Sequence, residues 1–211
     1  MSESKLQDCF TDLPVVAILR GVTPDEVVAI GQAVREAGIS IIEVPLNSPD
    51  PFTSIGRLVE ALGDDCVVGA GTVVQADDVV RVADVGGQII VSPNTDVDVI
   101  RASLERGLVP MPGWATPSEA FTAYSAGARY LKLFPAGSYG VRHYNNVKAV
   151  LPGECKVIAV GGVGADDIGE WRSAGIDGFG IRSDIYKAGR DPEDVGARAR
   201  SIVAAVREAN V

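Results

Sequence analysis

The sequence predicts an α/β protein folded as a (β/α)8 barrel of the TIM type, with residues 1–211 forming a single domain. Three observations carry that prediction. Short β-branched runs recur eight times, at intervals of roughly 19 to 27 residues, which is the spacing of βα units. Each run is followed by a turn signal and then by a segment with helical periodicity. No linker, low-complexity stretch or break in composition divides the 211 residues, a length that suits one compact core. An open, doubly wound sheet is the alternative arrangement of the same units.

Taken in order, residues 3–12 are expected to form an extra helix that closes the bottom of the barrel. Strands follow at 15–19, 39–44, 67–70, 88–92, 108–111, 130–134, 156–160 and 178–181. Two helices are expected to start at capping boxes with proline at the first helical position, Thr23-Pro24-Asp25-Glu26 and Thr116-Pro117-Ser118-Glu119. Helix ends are marked by Ala37-Gly38, Ala126-Gly127 and Ala174-Gly175, where glycine supplies the left-handed residue that stops a helix. Ile55, Leu58, Val59 and Leu62 form a one-sided apolar stripe. Ile202, Val203 and Val206 do the same in a final helix at about 194–209.

Composition removes several classes of function. A formal charge of −9 opposes non-specific nucleic-acid binding, although it leaves room for one locally positive anion pocket. No run reaches the length of about 18 apolar residues that a membrane span needs, and the first ten residues have no signal-peptide pattern, so a soluble, cytoplasmic protein without a membrane partner is expected. Cys9, Cys66 and Cys155 lack metal-ligand or redox spacing and read as buried, reduced thiols. His143 is the only histidine, which excludes His-rich zinc sites, and it is expected in a loop after Tyr139-Gly140.

In a barrel the strand C-terminal ends converge on one mouth. Read in order, those ends carry Arg20, Glu43, Thr72, Pro93-Asn94, Pro112-Gly113, Lys132, Gly161-Gly162 and Arg182-Ser183. In Tyr130-Leu131-Lys132-Leu133-Phe134 the period of two puts Lys132 on one face with Tyr130 and Phe134. Burial there disfavours the ammonium, and a neutral amine can attack a ketone to form an imine. Glu43 ends another apolar strand, and a carboxyl tuned toward neutrality can shuttle the protons of that chemistry. The plainer readings are a Lys132–Glu43 ion pair of structural value only, and a solvated strand end at Glu43. Gly161-Gly162, with Ser183 and Arg182 after the eighth strand, stand where many barrels hold phosphate on backbone N–H groups. Gly69-Ala70-Gly71-Thr72 reads equally well as a simple turn.

The segments Ala17-Ile18-Leu19-Arg20-Gly21, Glu43-Val44-Pro45-Leu46-Asn47-Ser48-Pro49, Gly69-Ala70-Gly71-Thr72, Ser92-Pro93-Asn94, Lys132-Leu133-Phe134-Pro135 and Val160-Gly161-Gly162-Val163 occur in the order found in one family. From Val15 almost to its end, the chain resembles the 2-keto-3-deoxy-6-phosphogluconate and 2-keto-3-deoxy-6-phosphogalactonate aldolases. The resemblance implies a homotrimeric barrel needing no metal or other cofactor. It implies a substrate that is a phosphorylated 2-keto-3-deoxy sugar acid, split into pyruvate and glyceraldehyde 3-phosphate. It places the imine-forming lysine on Lys132 and the acid/base on Glu43. Substrate contacts are expected at Arg20, Thr72, Pro93, Asn94 and Phe134, and the resemblance puts phosphate contacts on Gly161, Gly162 and Ser183; Arg182, from its place beside Ser183, is an added charge partner.

Pro45-Leu46-Asn47-Ser48 is similar to the galactonate branch, whereas gluconate-type members carry a Thr-Leu-Arg-Thr-like segment. An aldolase for the gluconate epimer or for 4-hydroxy-2-oxoglutarate is the nearest alternative. A non-catalytic sugar-phosphate-binding protein is the alternative of another class. Two residues depart from the pattern: Trp114 is expected to narrow the mouth, and Arg182 stands where a small residue is usual.

Overall fold

The computed structural model describes residues 2–209. Its strands are β1 (Val15–Ile18), β2 (Ile41–Pro45), β3 (Val67–Gly71), β4 (Ile89–Val91), β5 (Val109–Met111), β6 (Gly113–Trp114), β7 (Tyr130–Leu133), β8 (Lys156–Val160) and β9 (Gly178–Ile181). The helices are α1 (Ser2–Asp12), α2 (Val27–Glu36), α3 (Pro51–Leu62), α4 (Ala76–Asp84), α5 (Val97–Glu105), α6 (Pro117–Ser125), α7 (Ala136–Lys148), α8 (Ile168–Ser173) and α9 (Pro192–Glu208). All ladders are parallel, in the order β5-β4-β3-β2-β1-β9-β8-β7-β6. Since β5 and β6 are consecutive pieces of one stave, this is the eight-staved barrel that the strand spacing predicts.

The fifth stave differs from its single expected strand because of Pro112, which has no N–H to give to a ladder. Before it, β5 pairs with β4; after it, β6 pairs with β7 in the register Gly113↔Lys132 and Trp114↔Leu133. The Pro112 carbonyl still accepts a hydrogen bond from the Lys132 N–H at 2.9 Å.

Alternation along the staves divides the core into two shells. Val16, Ile18, Ile41, Val67, Ile89, Met111, Tyr130 and Ile158 fill the interior, while Val15, Ala17, Ile42, Val68, Leu131 and Leu133 face the helices. The interior shell also includes Leu6 and Cys9 of α1, with Phe10 against Tyr130 at 5.3 Å between ring centroids, so α1 stoppers the N-terminal end of the barrel. Burying an aliphatic side chain such as the fully covered Leu6 stabilises by about 1.5–3 kcal/mol.

Gly38, Gly127 and Gly175 have φ of +107°, +106° and +84° and end their helices as the sequence implies. The capping box at Thr116 is complete: Thr116 Oγ1 accepts the Glu119 N–H while the Glu119 carboxylate accepts the Thr116 N–H. The box at Thr23 is only half formed, and α2 starts later, at Val27. Glu26 Oε1 accepts the Thr23 N–H and hydroxyl and also the hydroxyl of Tyr186, far along the chain, so the segment makes a turn first.

Two further expectations are corrected. His143 lies within α7, because Gly140 (φ +74°, ψ +170°) breaks the helix for one residue and the chain then rewinds. Trp114 does not narrow the mouth; next to inward-facing Lys132, the β6–β7 register sends it outward with Leu133, into the shell under α7 and beside His143.

Candidate active site

The strand C-terminal ends enclose a cavity of about 670 Å³, bounded among others by Arg20, Glu43, Lys132, Phe134, Gly161, Gly162, Arg182 and Ser183. Below Lys132 and Glu43 the interior leaves a void of only about 10 Å³. The cavity therefore has a sealed floor and an open rim.

Lys132 and Glu43 form the floor, 6% and 2% exposed. β7 presents Lys132 inward with Tyr130 and Phe134, as alternation predicts, and its Nζ lies 4.8 Å from the centre of the Phe134 ring. Burial pushes the Lys132 pKa down, opposed by the Glu43 carboxylate and reinforced by the Arg20 guanidinium. Burial pushes the Glu43 pKa up, opposed by Lys132 and Arg20. Burial thus favours the neutral form of each. The two side chains are near enough to influence one another yet form no salt bridge, and Glu43 Oε2 has no hydrogen-bond partner. A purely structural ion pair does not account for them.

Arg20 sits half-buried beyond the end of β1 and donates through Nη2 to Thr72 Oγ1 at 3.2 Å. Thr72 has φ +57°, a conformation that a β-branched residue rarely adopts. The strand-end turn is therefore strained in a way that aims this hydroxyl at Arg20. The Arg20-Gly21 corner is tied to the loop after β2 by the Gly21 N–H, which donates to buried Ser48 Oγ at 2.9 Å.

The rim is built differently. Gly161 and Gly162 have φ of +86° and +71°, and a side chain at Gly161 would meet the Phe134 ring. The Gly137 N–H, in the first turn of α7, donates to the Gly161 carbonyl at 2.8 Å. After β9, the Ile185 and Tyr186 N–H groups donate to the Arg182 carbonyl, so that Ser183 and Asp184 start a single helical turn. Backbone N–H groups at such glycine corners and turn starts suit an anion.

Thr72, Pro93 and Asn94 are not among the residues bounding the cavity. Thr72 reaches the site through Arg20, and exposed Asn94 accepts the Gly113 N–H through its carbonyl. Residue-by-residue reading passed over Gly164, Asp167 and Asp184, which also border the cavity. The Gly164 N–H donates to Asp167 Oδ2 at 2.8 Å, and an acid three residues beyond a glycine was the available signal for that turn. Among the described residues no His, Cys, Asp and Glu groups cluster as metal ligands.

A parallel barrel holding a buried lysine and a buried glutamate beneath an anion-suited rim has the anatomy of an imine-forming enzyme for small anionic carbonyl compounds. The family profile described as KDPG and KHG aldolase matches residues 6–178. The chain is 46% identical over 199 residues to the 2-dehydro-3-deoxy-6-phosphogalactonate aldolase of Escherichia coli (strain K12), covering 94% of this chain and 97% of that protein. It is 45% identical over 192 residues to a Rhizobium meliloti (strain 1021) protein named a probable 2-dehydro-3-deoxy-6-phosphogalactonate aldolase, covering 91% of each. A solved structure described as native KDPGal superposes with a TM-score of 0.92 at 45% identity, covering 94% of this chain and 96% of that one. The chain belongs to the KDPG and KHG aldolase family, whose members are carbon–carbon lyases.

Proposed function

We propose that this chain cleaves 2-dehydro-3-deoxy-6-phosphogalactonate to pyruvate and D-glyceraldehyde 3-phosphate through an imine on Lys132. The observation that carries the proposal is Lys132 itself, a lysine buried on a cavity floor where its neutral amine is favoured and no salt bridge to Glu43 holds it charged. The neutral Nζ attacks the C2 ketone, and the carbinolamine loses water to give an iminium. Glu43 takes the C4 hydroxyl proton; the C3–C4 bond breaks, and its electron pair flows into the iminium, leaving the enamine of pyruvate. Glyceraldehyde 3-phosphate departs. Protonation of the enamine at C3 and attack of water on the resulting iminium release pyruvate and restore the amine.

Arg20, propped by Thr72, supplies a guanidinium suited to the substrate carboxylate, and Phe134 walls the reacting carbons. Pro93 and Asn94 belong to the outer mouth and meet substrate only at its edge. The phosphate takes the N–H groups of Gly161, Gly162 and Ser183, with Arg182 adding charge at the exposed rim. The galactonate preference rests on the relatives named for that substrate and on the loop after β2, which buried Ser48 fastens to the Arg20 corner. The protein acts in the cytoplasm, consistent with three free, buried cysteines. It assembles as a homotrimer, as the resemblance implies, and light scattering in solution tests that.

Borohydride reduction in the presence of pyruvate tests the core of the proposal. A stable adduct should form on the wild type at Lys132 and be absent from Lys132→Ala, whose turnover should fall by about 10⁵-fold or more. Adduct on another lysine, or turnover without any adduct, overturns it. Comparing kcat/KM for the two C4 epimers tests the substrate, and a preference for the gluconate epimer moves the chain to the other branch.

A further inference from the structure

Gly71 closes β3 and lies across the ladder from Pro45, two residues past Glu43. A Cβ on Gly71 would stand 1.4 Å from Glu43 Oε2 and 2.5 Å from its Cδ. Most other tightly packed glycines meet backbone or apolar groups, as Gly69 meets Ile89 and Gly137 meets the Gly162 carbonyl, and Gly164 meets the exposed Asp184 carboxylate at the rim. Gly71 alone is packed against the carboxyl group on the cavity floor. Its φ is not in the left-handed range, so alanine is compatible with its backbone, and a need for unusual φ does not explain the glycine. The side chain pressed into the space above it does.

We propose that Gly71 is a positioning residue: its missing side chain is the seat in which the Glu43 carboxyl lies, against β3 and out of ion-pair contact with Lys132. Two observations agree with this. Glu43 Oε2 is buried with no hydrogen-bond partner, so no donor holds it where it is, and shape must. Yet Lys132 and Glu43 share one floor without a salt bridge between them, although that contact would be the simplest resting place for two buried opposite charges. Denied the seat, the carboxyl must turn away from β3 and lose the position from which it serves the reacting carbons. The inference rests on the acid/base role proposed for Glu43.

The test is Gly71→Ala beside Glu43→Gln, with circular dichroism melts for each. Gly71→Ala should lower kcat by about 10²-fold, the scale of a lost acid/base, while KM stays within about threefold and the pyruvate adduct still forms on Lys132. The Gly71→Ala/Glu43→Gln double variant should be no slower than Glu43→Gln by more than about threefold, because a seat has no further value once its occupant is inert. Wild-type turnover in Gly71→Ala, or a double variant whose losses multiply, overturns the inference. Wild-type turnover in Glu43→Gln instead overturns the role of Glu43, so the two failures are distinguishable. If Gly71→Ala melts too low to assay, Gly71→Ala/Glu43→Ala should melt higher than it, since the added methyl then occupies the space the carboxyl left. A double variant that melts no higher overturns the seat.

Discussion

The floor and the rim of the cavity solve opposite problems. Lys132 and Glu43 are almost fully covered and held on strands, so their chemistry comes from what burial does to a charge. Gly161, Gly162 and Ser183 stand at loop corners with exposed Arg182 beside them, and offer mostly backbone dipoles that no burial has altered. On the function proposed above, the same barrel end makes a reactive site by withholding water and a binding site by leaving it partly wet. Changes to the floor should appear in kcat and changes to the rim in KM.

The largest effect is expected at the floor. Glu43→Gln should lower kcat by about 10²- to 10⁴-fold with little change in KM, measured by coupled assay of pyruvate release. At the rim, Gly162→Ala forces a left-handed backbone on alanine at a cost of about 1–2 kcal/mol. It should raise KM for the phosphorylated substrate roughly tenfold while leaving borohydride trapping of free pyruvate at the wild-type rate. A change in trapping equal to the change in KM would erase the distinction between the two regions.

Acidity sharpens the comparison further. Burial lowers the Lys132 pKa from 10.5, Glu43 raises it back and Arg20 lowers it, so the acid limb of pyruvate trapping lies below that value. Removing the carboxylate in Glu43→Gln takes away a stabiliser of the ammonium, so the limb should move to lower pH. Arg20→Met removes a repelling cation, so the limb should move to higher pH. Arg182→Met, on the exposed rim, should leave it in place. Rates of adduct formation across pH measure all three. The smallest effect lies outside both regions: Thr116→Ala removes the cap of α6 and should lower the melting temperature by about 2–4 °C, for roughly 1 kcal/mol, without altering turnover.

The parts of this molecule that follow a period were legible in its sequence. Alternation in Tyr130-Leu131-Lys132-Leu133-Phe134 placed Lys132 inside the barrel, and the apolar run before Glu43 implied its burial. What escaped depends on contacts distant in the chain. The Thr23 box reads like the Thr116 box, but there the Glu26 N–H goes to the Thr23 carbonyl in a turn and Glu26 is also bound by distant Tyr186, and nothing local announces that. The direction of Trp114 follows from the β6–β7 register, which sets Gly113 beside Lys132 and turns Trp114 outward, and register between two strands is not written in either of them. His143 was misplaced because a glycine inside a helix looks like its end, and Gly140 only interrupts α7. Family motifs pointed to Thr72 and Glu43, yet they did not show that Thr72 is hydrogen-bonded to Arg20, or that Gly71 is pressed against Glu43.

The interruption at Pro112 also decides how the ring is fastened. Its ladder runs without a break from β6 through β9 and β1 to β5, so the first and last strands of the chain are laced together by three pairs. The parting lies halfway along the sequence, inside one stave. Amide hydrogen exchange should therefore find its quickest barrel protons around 109–114 and not beside the chain ends. The Lys132 N–H, bound to the Pro112 carbonyl, is one of the stitches that span that parting.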